Sequence, residues 1–218
     1  MKVSSILCLF LLVFIPVHAE TPAVNELVLF DGKSLDDWEE RDAGGSGIVE
    51  LRDDVMVIGT GESITGVVYK KKDKLPVTNY ELSLETQRLE GFDFFCGLTF
   101  PVGDLKTCVT LVLGGWGGSV TGLSSIDGLD ASEAGNSTGH YRRFDDKKWY
   151  RIKVRVTPEN VSAWSNEEKI IDCDIAGKKV GLRPGPIEDY APLSITTYQS
   201  TGAIRKMSIK TLPPKEPK

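Results

Sequence analysis

The sequence predicts an all-β fold, a sandwich of two antiparallel sheets, on three observations. Apolar residues recur with period two in one segment after another. Gly, Pro, Asn and Asp break the chain at close intervals. No long stretch repeats apolar residues at i, i+3, i+4 and i+7. Many short strands with almost no helix bury their apolar faces by packing as two sheets.

The elements follow in order. Residues 1–19, MKVSSILCLFLLVFIPVHA, combine a lysine at position 2, an unbroken apolar run and the small-residue end Val17-His18-Ala19. That is the pattern of a cleavable secretory signal, and it is too short for a membrane anchor. It implies a secreted or periplasmic protein. Residues 20–212 then form one domain, and the Pro-rich LPPKEPK end leaves 213–218 as a disordered tail. Within the domain, LVLF is the first strand. The run Lys70-Lys71-Lys72-Asp73-Lys74 reads as a solvated turn. In NYELSLETQRL, Tyr80, Leu82, Leu84 and Thr86 point one way, and Glu81, Ser83, Glu85 and Gln87 the other. FDFFCGLTF and CVTLVLGG are apolar on both faces, as strands central in a packed sheet are. WYRIKVRV sends Tyr150, Ile152, Val154 and Val156 to the core and Arg151, Lys153 and Arg155 outward. EKIIDCDI, PLSITTYQS and AIRKMSIKTL complete the strands.

Composition narrows the partners. Without Lys2 the chain carries 25 basic and 31 acidic residues, a net charge of −6, which argues against nucleic acid and anionic membranes. No second apolar run is long enough to span a bilayer. Cys96, Cys108 and Cys173 form no Cys-x-x-Cys pair, so zinc and thioredoxin-like chemistry lack support. Cys96 and Cys108 flank the turn-like PVGDLK and would face each other on a hairpin, as a disulfide or as buried thiols.

A set of ordered motifs adds a family resemblance. LVLFDGKSLDDWE opens with Phe-Asp-Gly-Lys-x-Leu-x-x-Trp. NYELSLE, KKWYRIKVRV, VSAWSNEEKIID, GLRPG and IRKMSIKTL follow in the order of the matching strands of the 3-keto-disaccharide hydrolase domain family, which the chain resembles over almost its whole length. The resemblance implies a concanavalin A-like jelly roll and an exported sugar-processing protein, with 3-keto-glycosides among its substrates. FFCGLTF and LGGWGGSVTGLSSIDG depart from the family pattern, so the chain resembles a divergent member. In that reaction a base removes the C2 proton acidified by the ketone, the C1 substituent leaves, and water adds to the enone.

Chemistry-bearing residues are few. Glu81 and Glu85 are the candidate base pair. They share a strand face, with Cα atoms about 13 Å apart at a rise of about 3.3 Å per residue. Glu-x-Ser-x-Glu also resembles the Glu-x-Asp-x-Glu strand of laminarinase-like jelly-roll glycosidases, with Ser83 at the middle position. Two carboxylates about 5–5.5 Å apart suit retaining hydrolysis, and a separation of about 6.5–9.5 Å suits inversion. The alternative reading makes both glutamates solvated residues of an outward face. His140, the one histidine after residue 19, is a candidate acid or base, with Arg143 a substrate-binding candidate beside it. No Gly-x-Ser-x-Gly supports acyl transfer.

The stretch LGGWGGSVTGLSSIDGLDASE, 113–133, holds six glycines around a single tryptophan and three acids. Trp116 and Asp127 are expected to bind a saccharide, the indole by stacking on the apolar face of a sugar ring. Asp127, Asp130 and Glu133 are hard oxygen donors for Ca or Mg, or else ordinary turn residues. Trp38, Trp149 and Trp164 are expected to pack. Three functions stay open: a 3-keto-glycoside hydrolase, a non-catalytic saccharide-binding module, and a structural module of the cell envelope.

Overall fold

The computed structural model describes residues 25–214. The signal segment lies outside the described residues, as does most of the tail. The strands run β1 (Glu26–Phe30), β2 (Trp38–Asp42), β3 (Val49–Arg52), β4 (Val55–Ile58) and β5 (Thr65–Tyr69). They continue as β6 (Tyr80–Gly91), β7 (Cys96–Val102), β8 (Asp104–Gly115), β9 (Val120–Ser124) and β10 (His140–Tyr141). β11 (Tyr150–Val156), β12 (Asn160–Ser165), β13 (Glu168–Asp174), β14 (Ser194–Thr197) and β15 (Ser200–Thr211) complete the set. Among the described residues, helix is confined to 3-10 turns at Lys72–Lys74, in the lysine run, and Pro186–Tyr190.

Two antiparallel sheets make a jelly-roll sandwich. One orders its strands β13-β12-β11-β6-β15-β4-β3, with β1 as an eighth strand on β15. β15 is twelve residues long and serves β4 through Gly202–Ile204 and β1 through its far half. The other sheet orders its strands β10-β9-β8-β7-β14-β5-β2. Between them lies one core. Tyr80, Leu82 and Leu84 of β6 and Ile152 and Val154 of β11 meet Leu98 and Phe100 of β7, Leu111 of β8 and Ile195 of β14. Burial of each such side chain contributes about 1.5–3 kcal/mol.

The outer faces of the two sheets differ. On the eight-stranded sheet the outward positions are long and charged, and they pair across strands. Arg155 and Lys153 reach Glu81, while Arg205 and Lys206 reach Glu85. Trp164 and Trp149 lie on this face too, under Lys153 (4.4 Å) and Arg205 (4.0 Å), whereas Trp38 is buried edge-on to Tyr69. On the seven-stranded sheet the outward positions are small. One cross-strand row reads Ser124, Thr110, Thr99, Ser194 and Val68, and the next reads Gly122, Val112, Gly97, Thr196 and Gly66. These side chains are buried although they point away from the core. A third layer covers them, and it holds the candidate site.

Two expectations need correction. GLRPG forms no strand; it leads instead from an isolated bridge at Val180 into the 3-10 turn at Pro186–Tyr190. Cys96 pairs with Leu113 and Cys108 with Pro101, so the two cysteines occupy distant rungs of the β7–β8 hairpin, and all three described cysteines are free and buried. Facing cysteines would put the hairpin midpoint at residue 102, whereas the turn falls at Gly103, which takes the left-handed backbone, and a register shift beside it displaces the pairing further along the chain.

Candidate functional site

Segment 181–191 crosses the outer face of the seven-stranded sheet. Its start is tied to the loop after β9: the Ser125 and Gly181 amides donate to each other's carbonyls, at 2.8 and 3.1 Å. Its far end is pinned by Ile187 and Tyr190, which pack on Val68, and by the Tyr190 hydroxyl, which donates to the Arg41 carbonyl at 2.9 Å. The two prolines of RPGP limit how closely the segment can lie on the strands, since each fixes φ and lacks an amide donor. A cavity of about 280 Å³ remains beneath it. Thr110, Val112 and Ser124 form the floor, Pro184, Pro186 and Ile187 the roof, and Phe94 and Tyr198 one wall. Gly97 makes that wall possible: a Cβ there would lie 2.5 Å from Thr196 Oγ1 and 3.1 Å from the Phe94 ring.

Trp116 sits at the tip of the β8–β9 hairpin, where the Ser119 amide donates to the Gly115 carbonyl at 3.1 Å. Its φ is +50°, a left-handed conformation uncommon for a bulky side chain. Gly117 and Gly118 follow it in the same region of backbone space. Asp93 fixes the turn: its buried carboxylate accepts the Phe94 amide at 2.7 Å and the Gly117 amide at 2.8 Å. The indole therefore stands at the edge of the cavity on a backbone held from below.

A second cavity, about 310 Å³, opens on the other side of Trp116. Trp116, Arg183 and Pro184 line both. Ser125, Asp130, Ser132 and Glu133 face the second. Asp130 stands at the junction. Ser124 Oγ and the Ala131 amide donate to its Oδ1, and Arg183 Nε forms an ion pair with Oδ2 at 3.1 Å. The Asp130 side chain is 12% exposed and that of Arg183 is 62% exposed, so the guanidinium is open to a ligand while the carboxylate is held. Stacking surface, one anion and one cation thus meet at one point of a two-chambered cleft.

The residues named from the sequence divide. Trp116 and Asp130 belong to the cleft, and Glu133 faces its second chamber. Glu81 and Glu85 lie on the outer face of the opposite sheet and are not brought to it. Each glutamate there completes a local ion pair, Arg155 Nη2 at 2.7 Å from Glu81 and Arg205 Nε at 2.6 Å from Glu85. Burial pushes the Glu85 carboxyl up, but the bonds from Arg205 and Lys206 outweigh it and hold the group below the usual carboxylate value. His140, on β10 opposite Thr121, has Nδ1 3.1 Å from the Thr138 carbonyl and lies outside both cavity linings, as does the exposed Arg143. Asp127 closes a turn, its Oδ1 accepting the Lys179 amide at 2.8 Å. The three acids of this loop do not converge as a metal site, because Asp127 turns to Lys179, Asp130 to Ser124 and Arg183, and Glu133 to the Asp130 amide. Among the described residues no group of three His, Cys, Asp or Glu side chains is arranged to hold a metal ion. Sequence reasoning missed Asp93, Arg183 and the roof. The signal for the roof is an arginine directly before a Pro-Gly-Pro run, which is a poor strand former.

Comparison with known proteins gives the family. The model of the 3-keto-alpha-glucoside-1,2-lyase-like domain matches residues 26–210. The chain belongs to this family. None of the curated proteins compared with the lyase-like domain matches it. Among solved structures, the domain resembles a candidate glycosyl hydrolase from Parabacteroides distasonis at 16% identity. That match has a TM-score of 0.53 and covers 86% of this chain and 94% of the other. A Crh5 transglycosylase in complex with NAG is similar at 11% identity and a TM-score of 0.58, over 90% of each chain. The carbohydrate-binding module CBM66 from Bacillus subtilis is similar at 8% identity and a TM-score of 0.51, over 80% of this chain and 96% of the module. At these identities the likeness is one of fold. The lyase-like domain shares the jelly-roll sandwich with all three. Among its described residues no helix is long and apolar enough to cross a membrane.

Proposed function

We propose that the lyase-like domain is an exported carbohydrate-active enzyme that binds a saccharide in the cleft beneath segment 181–191 and cleaves 3-keto-glycosides there. The observation that carries this reading is the meeting of Trp116, Asp130 and Arg183 between the two cavities, in a chain of this family. The indole stacks on the sugar ring. The Arg183 guanidinium donates to the ketone oxygen as negative charge develops on it. The Asp130 carboxylate takes the C2 proton, the C1–O bond breaks, and the leaving oxygen receives the proton back from Asp130. Water then adds across the C1–C2 double bond of the enone, which makes the net reaction a hydrolysis. The apolar run in residues 1–19 supports export.

The test is release of free sugar from 3-keto-trehalose, 3-keto-lactose and the 3-keto derivative of phenyl α-glucoside. Wild-type protein is expected to turn over at least one of them, and Asp130→Asn to lower kcat by about 10²-fold or more. Wild-type protein inert toward all three, with and without divalent metal, overturns the enzyme reading. One observation favours a second reading, a non-catalytic saccharide-binding module: both oxygens of Asp130 are already engaged. In that case the sugars bind without turnover.

A further inference from the structure

The two chambers differ in what they offer a ligand, and the difference bears on the substrate. Apart from Trp116 and Arg183 at its mouth, the polar side chains lining the chamber beneath segment 181–191 already have partners. Thr110 Oγ1 shares a hydrogen bond of 2.8 Å with Thr99 Oγ1, and Ser124 donates to Asp130. Asp93 accepts two backbone amides and the Tyr198 hydroxyl accepts from Gln199 Nε2 at 3.3 Å, while Arg183 Nε is ion-paired with Asp130. The rest of the lining is apolar, with Phe94, Val112 and Ile187 among it. A hexose in this chamber would surrender water from several hydroxyls and regain few hydrogen bonds, and each unmatched group costs roughly tenfold or more in affinity. An aromatic ring meets no such cost. An apolar cavity of about 150 Å³ is enough to hold benzene, so about 280 Å³ admits one aromatic ring with substituents. The second chamber is the opposite case. It presents Ser125, Ser132, Asp130 and the Glu133 carboxylate, groups suited to sugar hydroxyls.

We infer that the second chamber takes the sugar ring and the chamber beneath segment 181–191 takes an apolar, typically aromatic, aglycone, so the ligand class is the aryl glycoside rather than the disaccharide. The glycosidic oxygen then lies beside Trp116 and Arg183, which line both chambers, with Asp130 on the side of the second chamber. This assignment rests on the cleft being the saccharide site.

Calorimetric titration of the full chain with methyl α-glucoside, phenyl α-glucoside and trehalose tests it without turnover. Phenyl α-glucoside is expected to bind roughly 10- to 100-fold more tightly than methyl α-glucoside, the gain for burying one phenyl group. Trehalose is expected to bind no more tightly than methyl α-glucoside. Equal affinity of the phenyl and methyl compounds, or trehalose as the tightest of the three, overturns the aglycone assignment while leaving a saccharide-binding cleft in place. Absence of binding by all three overturns the assignment and the cleft together. The near-isosteric Val112→Thr, which brings a hydroxyl to the chamber floor, is expected to reduce the phenyl-to-methyl preference at least about fivefold. An unchanged preference would mean that the phenyl group is bound elsewhere.

Discussion

Replacing Glu85 by Gln separates the two sides of the sandwich. In the wild-type protein Glu85 Oε2 accepts from Arg205 Nε at 2.6 Å and Oε1 from Lys206 Nζ at 3.2 Å, and the Arg205 guanidinium lies 4.0 Å from the centre of the Trp149 ring. Glutamine keeps one acceptor and loses the charge. A charged hydrogen bond contributes about 1.5–3 kcal/mol when sheltered, and an exposed ion pair at most about 1 kcal/mol. The Glu85 side chain is 18% exposed and Lys206 is 68% exposed, which places the loss at about 1–2 kcal/mol, nearly all of it through Arg205. For a domain of this size that lowers Tm by roughly 2–8 °C. The pH dependence has a definite sign. The folded carboxyl titrates below the unfolded reference of 4.5, so its stabilisation is complete above that reference and disappears as pH falls through the folded value. Urea denaturation should therefore give a constant gap between wild type and Glu85→Gln from pH 7 down to about 5.5, closing further into acid. Turnover and saccharide binding should stay within about twofold of wild type, because the cleft lies on the other sheet. A folded Glu85→Gln protein that loses turnover tenfold or more would place the reacting sugar on the eight-stranded sheet and refute the site described above. A gap that widens in acid would refute the ion-pair account.

Three further outcomes are expected. Trp116→Gly should leave urea stability unchanged or raise it by up to about 1 kcal/mol, since glycine adopts φ +50° without strain. It should also weaken saccharide binding at least tenfold, and unaltered binding would remove Trp116 from the site. Asp93→Ala strips the Phe94 and Gly117 amides of their acceptor and should cost about 1–3 kcal/mol in denaturation together with saccharide affinity, with Asp93→Asn intermediate because it retains one acceptor oxygen. Burial pushes the Cys96 thiol up to about 12 and the Cys108 thiol up to about 11, so with Cys173 also buried a thiol reagent at pH 8 should find none of the three in native protein and all three in denaturant. A fast native reaction would contradict that burial.

Much of the fold is legible wherever the two faces of a strand meet different surroundings. β6 and β11 alternate because one face meets the core and the other meets water and counter-charges, and that contrast is written into their residues. The position of the site is not legible in the same way. Alternation labels Glu81 and Glu85 as outward, but every strand of both sheets has an outward face, and pairing order alone decides which of the two faces bears the cleft. Asp93 is invisible for a related reason. It lies between two aromatic residues in FDFF, far in sequence from the Gly117 amide that it holds, and a short acidic side chain before a strand reads as turn chemistry. Trp116 was legible because four glycines leave a large side chain without neighbours in sequence. Its partners Arg183 and Pro184 come from a segment 67 and 68 positions further along the chain, which no local pattern connects to it.

A strand that is apolar on both faces carries more information than its central place in a sheet. In an antiparallel sandwich one face of each strand meets the core, so a second apolar face demands a third layer. FDFFCGLTF and CVTLVLGG make that demand, and segment 181–191 meets it with Ile187 and Tyr190 at one end of the face. Coverage stops short over Thr110, Val112 and Ser124, where two prolines lift the chain and small side chains lower the floor. The floor of the gap is set by the short side chains of Thr110, Val112 and Ser124. Gly122 reinforces the point: a Cβ at that position would stand 2.9 Å from Ala131 Cβ, so the loop after β9 lies directly on the strand and carries Asp130 to the rim. Small outward residues thus do two things at once, leaving room for a ligand and allowing the loops that bear Asp130 and Arg183 to approach from opposite sides. On the eight-stranded sheet the corresponding positions hold glutamate, arginine and lysine, whose side chains fill their own face. The two-chambered cleft therefore belongs to the seven-stranded side of this sandwich.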